Sequence, residues 1–165
     1  MYTIISATNR NGSHTEKVAK QYQRLFKQKD VDAQIFSLNN IYVFERNEIF
    51  NDAEEQYLFH AQKFVFIMPE YNGSFPGAVK AMIDISDIRK AWWGKKALLT
   101  GVSTGRAGNL RGMEHMTGIL NYMKMIVHPN KLPISVIDTV MNKEGDINTA
   151  TIKVMEQQID EFIHF

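Results

Sequence analysis

The chain contains no cysteine. That single absence excludes disulfide frameworks, thiolate nucleophiles, Cys-ligated zinc and iron–sulfur clusters, and it suits a reducing compartment. Any redox chemistry must therefore come from a cofactor. An excess of one charge is missing too: 19 Lys and Arg against 18 Asp and Glu give a formal net charge of +1, so no bulk field draws in nucleic acid or an anionic membrane. No apolar run approaches the length of a membrane span, and Met1-Tyr2-Thr3-Ile4-Ile5 lacks the basic and then apolar pattern of a secretory leader. The expectation is a soluble, cytoplasmic protein that binds neither nucleic acid nor membrane. The five histidines show no H-x-x-x-H or similar ligand spacing, so no metal is expected. Two phosphate signatures are also absent, G-x-x-x-x-G-K-[ST] and a G-x-G-x-x-G following a strand, which sets aside P-loop and dinucleotide-fingerprint readings.

What is present is alternation. The 165 residues, 44% hydrophobic, suffice for one domain over 1–165 with its own core. Apolar runs of strand length predict strands over Thr3–Ala7, Ala33–Leu38, Phe64–Met68 and Ala97–Val102, and a broken fifth over Met125–Val127 and Ile134–Ile137. Between them lie helical faces. Ser13-His14-Thr15-Glu16 has capping-box spacing and leads into Val18, Tyr22, Leu25 and Phe26; Asp52-Ala53-Glu54-Glu55 predicts a second capped start running to about Ala61. Pro76 opens a third helix carrying Val79, Met82, Ile83 and Ser86. Met113, Met116, Thr117 and Leu120 mark a fourth, and Ile152, Met155, Ile159, Phe162 and Ile163 a fifth. Five strand–helix units predict an α/β fold with a doubly wound five-stranded parallel sheet and helices on both faces; a barrel usually takes about 250 residues. Ligands in such sheets bind beyond the carboxyl ends of the strands.

Three polar loops meet that description. The first supplies Ser6, Thr8, Asn9, Arg10, Ser13, His14 and Thr15 around a helix start, a set of hydroxyls, backbone N–H groups and one guanidinium suited to a mononucleotide phosphate. A helix cap at Ser13 beside a solvated Arg10 is the equally open alternative. The second, Pro69-Glu70-Tyr71-Asn72-Gly73-Ser74-Phe75-Pro76, mixes aromatic and amide groups that could hold a flat heteroaromatic ring, although Tyr71-Asn72-Gly73 alone could be no more than a turn. Glu70 has no paired carboxylate or histidine nearby and suits an orienting or structural role. The third, Ser103 to Asn109, has two glycines, which let backbone approach a ligand, and Arg106. All three fall on one edge of one predicted sheet.

Met68-Pro69-Glu70-Tyr71-Asn72-Gly73-Ser74-Phe75-Pro76-Gly77, followed by Val79-Lys80 and Asp84, resembles the P-E-Y-N loop and following helix of the NADPH-dependent FMN reductase family of flavodoxin-like proteins, which includes quinone, azo-dye and chromate reductases. The resemblance covers nearly the whole chain. It implies an FMN whose phosphate meets Thr8, Arg10, Ser13, His14 and Thr15, with Pro69, Glu70, Tyr71, Asn72 and Gly73 along the flavin ring. Ser103, Thr104, Gly105, Arg106 and Gly108 would complete the pocket. Where the family often shows Gly-Ser-x-Arg-x-x-Ser, the chain has Ala7-Thr8-Asn9-Arg10-Asn11-Gly12-Ser13: the glycine is absent and the hydroxyl, arginine and serine spacing survives. The resemblance further implies NADPH or NADH as reductant and a small-molecule acceptor such as a flavin or quinone. Both would react in ping-pong fashion at the flavin, with no catalytic side chain, in a homodimer or homotetramer.

A flavodoxin-like FMN electron carrier is the rival reading, and the balanced charge speaks for the enzyme because such carriers are usually markedly acidic. A phosphoacceptor receiver domain fails for want of acidic residues at the ends of the first and third strands, where Ala7-Thr8 and Met68-Pro69 stand. Trp92-Trp93 among Arg89, Lys90, Lys95 and Lys96 reads as a helix end packed on a partner subunit, and the methionines as core fillers.

Overall fold

Phe64 to Met68 lie within a strand whose residues are buried from Phe64 onward, the environment a continuous apolar run requires. The computed structural model describes residues 1–165, the side chain of Asn40 excepted. Strands β1 (Tyr2–Ser6), β2 (Ala33–Ser37), β3 (Lys63–Pro69), β4 (Lys96–Val102) and β5 (Ile126–Val127) form a parallel sheet in the order β2-β1-β3-β4-β5. β6 (Leu132–Ile134) also pairs with β4. The order 2-1-3-4-5 is that of flavodoxin-like sheets, as expected, with its switch point between β1 and β3. Register fixes the site: Ser6 pairs with Ser37 and Ile67, and Pro69 with Val102. The chain therefore leaves β1, β3 and β4 at one edge, where the three polar loops begin.

The long helices sit where their apolar spacing puts them: α1 (His14–Gln28), α3 (Gly77–Ile85), α5 (Leu110–Tyr122) and α7 (Thr149–His164). Alternate residues of β3 feed the two layers. Phe64, Phe66 and Met68 join a core with residues of α3 and α5, while Val65 and Ile67 join residues of α1 and α7. Each large apolar side chain so buried contributes about 1.5–3 kcal/mol. Among the described residues no helix is long and apolar enough to cross a membrane.

Three expectations are corrected. The second helix, α2 (Glu48–Ala53), starts at Asn47, whose side chain accepts the Phe50 N–H at 2.9 Å, rather than at Asp52; beyond Ala53 it widens into a π turn over Glu54–Phe59. Glu54 is buried within the helix, not part of a cap, and receives Arg46 and the Asp87 N–H. The fifth strand is broken as foreseen, but its second piece is Leu132–Ile134: Val136 takes a left-handed φ of 43° and Ile137 opens a single turn, α6 (Ile137–Val140), matched by another, α4 (Ile88–Ala91). Among the described residues seven α-helical segments, besides a 3-10 turn over Leu38–Asn40, thus stand where five helices were expected. Trp92 is a core residue at 0% exposure, its Nε1–H donating to Ser86 Oγ at 2.7 Å, and only Trp93 reaches the surface, beneath Arg89 and Lys124.

Candidate functional site

At the carboxyl edge the three loops converge on a cavity of about 460 Å³, and a second of about 290 Å³ adjoins it, sharing Glu70, Asn72, Ser103 and Thr104. Small-molecule sites usually span about 300–1,000 Å³.

The first loop ends in the cap it predicts. Ser13 Oγ accepts the Glu16 N–H at 3.2 Å, but the Glu16 carboxylate reaches the Gly12 N–H instead of that of Ser13. This leaves the N–H groups of Ser13, His14 and Thr15 without a protein acceptor among the described residues, at the positive end of the 15-residue α1. Arg10 lies on the wall with its guanidinium 4.3 Å from the centroid of the Tyr71 ring. His14 lines the cavity, yet its imidazole is turned to the side: Nε2 is 3.0 Å from Asp138 Oδ1 and Nδ1 3.4 Å from Met141 Sδ. Its backbone, not its ring, is the donor available to a ligand. Thr8 is not on the wall. At 1% exposure its hydroxyl is 2.8 Å from Tyr71 Oη and accepts the Arg10 N–H, so it ties the first loop to the second.

The second loop is a tight turn as well as a wall. Tyr71 N–H donates to Ser74 O at 2.8 Å and Ser74 N–H to Tyr71 O at 3.2 Å, with Asn72 and Gly73 at φ of 53° and 78°. Both central residues thus adopt the left-handed backbone that Asn-Gly favours. Their N–H groups find no protein acceptor among the described residues. Pro69, Glu70, Tyr71 and Asn72 line the main cavity and Gly73 the adjoining one.

In the third loop Ser103 and Thr104 line both cavities, and Gly105 and Arg106 the second. Gly105 has open space where a Cβ would go. Gly108 differs from the sequence expectation. It is buried against Pro133, which a Cβ would meet at 2.6 Å, and its N–H donates to Ser103 Oγ, so it serves packing rather than approach to a ligand.

Sequence reasoning missed Asn11, Val102 and Ile137 on the main wall. Asn11 stands between two residues that were singled out, and Val102 is the last residue of a strand ending at the site; both positions were legible. Ile137 was not, because it arrives through the turn at Val136, whose N–H donates to Gly105 O.

The family profile for NADPH-dependent FMN reductase matches residues 2–138. The chain belongs to that family. The match takes in all three loops. Among curated relatives, a 2-hydroxy-1,4-benzoquinone reductase from Burkholderia sp is 28% identical over 78 residues, 46% of this chain and 43% of its own length. An NAD(P)H-dependent FMN reductase of Pseudomonas aeruginosa is 33% identical over 84 residues, 50% of this chain and 44% of its own. The chain thus spans less than half the length of either relative. Its fold is similar to that of the flavoenzyme NAD(P)H:(acceptor) oxidoreductase FerB from Paracoccus denitrificans, at a TM-score of 0.78 and 19% identity over 99% of this chain and 94% of that one.

Proposed function

We propose that this family member is a cytoplasmic NAD(P)H-dependent FMN reductase passing electrons to a small flavin- or quinone-like acceptor. The carrying observation is that three donor sets without a protein acceptor among the described residues face the two adjoining cavities: the N–H groups of Ser13, His14 and Thr15 and the Arg10 guanidinium at the main one, and those of Asn72 and Gly73 where the two meet. That set fits FMN. The first group and Arg10 would hold a phosphate at the start of α1, Tyr71 would lie beside a flat ring with the Asn72 and Gly73 N–H groups at its polar edge, and Thr104 and Gly105 would cover the far side. An FMN bound there would supply the hydride and electron chemistry that the side chains lack. Glu70 has no acid–base partner in the cavity, and its Oε2 accepts the Asn109 N–H at 3.2 Å, so its part is orientation. One cavity system serving reductant and acceptor in turn supports a ping-pong scheme, for which steady-state double-reciprocal plots should be parallel; intersecting lines would overturn it.

The apolar groove of about 580 Å³ between α3 and α5, with Ile83, Ile119 and Met123 in it, supports assembly with a second copy as a homodimer.

The test is to titrate the protein with FMN, follow the visible spectrum, and add NADPH or NADH without oxygen. Bleaching is expected. Absence of flavin binding overturns the reading, and binding without bleaching by either nicotinamide favours an FMN electron carrier, the reading that the balanced charge of +1 makes second.

A further inference from the structure

Asn109 is the residue at which the second and third loops are locked together. It is 0% exposed, in the left-handed region at φ 62°, and immediately precedes α5. Its Nδ2 donates to Met68 O at 3.1 Å and to Pro69 O at 2.9 Å, while its backbone N–H donates to Glu70 Oε2 at 3.2 Å. Three consecutive residues at the end of β3 are thus bound by one residue of the third loop. The side chain fits there because two neighbours are glycines: a Cβ on Gly112 would lie 2.1 Å from Asn109 Oδ1, and one on Gly101 would lie 3.0 Å from Asn109 Cβ. The chemistry is equally restrictive. Left-handed backbone favours Gly, Asn or Asp, and of these only Asn carries an NH₂ to offer two backbone carbonyls.

We infer that Asn109 and Glu70 form a positioning pair that holds the Tyr71–Ser74 turn at a fixed distance from the third loop, and through it sets how tightly and in what orientation FMN is held. The inference rests on the functional reading above. The Glu70 carboxylate acts as an acceptor for the Asn109 N–H, not as a charge presented to the ring, so an amide at position 70 should serve as well.

The experiment measures the FMN dissociation constant by flavin fluorescence, the visible circular dichroism of the bound flavin, and thermal unfolding of the FMN-free protein for wild type, N109D, N109G, E70A and E70Q. N109D turns a carboxylate toward two carbonyl oxygens and E70A deletes the acceptor. Each should weaken FMN binding by about tenfold, the scale of one lost hydrogen bond at the upper end of the ordinary range, and change the flavin dichroism. Should N109D fail to fold, N109G, which keeps the left-handed backbone without strain, carries the same expected loss. E70Q should restore binding to within about threefold of wild type with the wild-type dichroic spectrum. Variants that unfold at lower temperature yet keep wild-type affinity and dichroism would overturn the pair as a positioning device. Equal losses in E70Q and E70A would overturn it too, by making the charge the operative feature. A wild-type protein that binds no FMN would instead remove the functional reading itself.

Discussion

At Gly101, the penultimate residue of β4, a Cβ would stand 1.9 Å from the Gly108 carbonyl oxygen, and no flexible side chain is there to yield. Gly101→Ala must therefore push the third loop off the sheet. A loss of about 3 kcal/mol is expected, at the upper end for overpacking. Gly105→Ala, four residues on, meets nothing within 4 Å and should change stability by less than about 0.5 kcal/mol. Urea denaturation of the two variants decides, and equal losses would sink the distinction. The sequence presents both as glycines of one run near a ligand loop. What separates Gly101 and Gly108 from Gly105 is contact with the loop backbone in one case and with Pro133, 25 positions away, in the other, and such distant packing leaves no local pattern. By contrast, the wall residues of the second loop were legible because turn chemistry and chemical function coincide in Tyr71-Asn72-Gly73: the backbone that makes the turn is the one that turns two N–H groups away from it.

Among elements, α2 was the least legible. Its expected start at Asp52 relied on a capping pattern that the structure uses differently, since Glu54 is buried with Arg46 and the Asp87 N–H, whereas the working cap, Asn47, lies five residues earlier. Asn47→Ala should cost about 1 kcal/mol, the usual value of a lost N-cap, and the exposed Asp52→Ala under about 0.5 kcal/mol; reversed magnitudes in urea melts would restore the later start. The π turn after α2 ends against Lys95, whose Nζ donates to Leu58 O at 2.7 Å and Phe59 O at 2.9 Å. Desolvation by burial lowers its pKa from 10.5 to about 8. A neutral amine still has two N–H donors for these two carbonyls, so deprotonation costs no hydrogen bond. Because the folded pKa lies below the unfolded one, the unfolded chain holds more protons between about pH 8 and 10.5, and this group makes stability rise with pH across that window, by at most about 1.4 kcal/mol per unit. The comparison with Lys95→Met isolates it: wild type should gain on the variant between pH 8 and 9.5, and a constant difference would refute the assignment.

For the whole molecule, alternation was sufficient to foresee the sheet, because buried parallel strands carry continuous apolar runs and their crossovers carry helical periodicity. The proposed dimer was not derivable in this way. Ile83 and Met123 are largely buried within one chain and in sequence look like any core positions, so nothing in their spacing reveals that a groove remains open between α3 and α5. What supports the proposal is a side chain at the edge of that groove that stands far into solvent: Tyr122, on the last turn of α5, is 82% exposed. A groove and a projecting ring on the same face can satisfy each other twice across a two-fold axis, which is the self-complementarity an isologous dimer requires. Lys80 and Asp84, paired with each other at 2.6 Å along the groove's margin, give it the polar rim common to such interfaces. Tyr122→Glu would bury a carboxylate in the apolar centre, a cost of several kcal/mol per subunit if uncompensated. The variant should sediment as a monomer at concentrations where the wild type sediments as a dimer, and because Tyr122 does not line either cavity of the candidate site its fold should persist in far-UV circular dichroism. A wild-type protein that remains monomeric at every concentration tested would remove the dimer, and a Tyr122→Glu dimer would move it to another face.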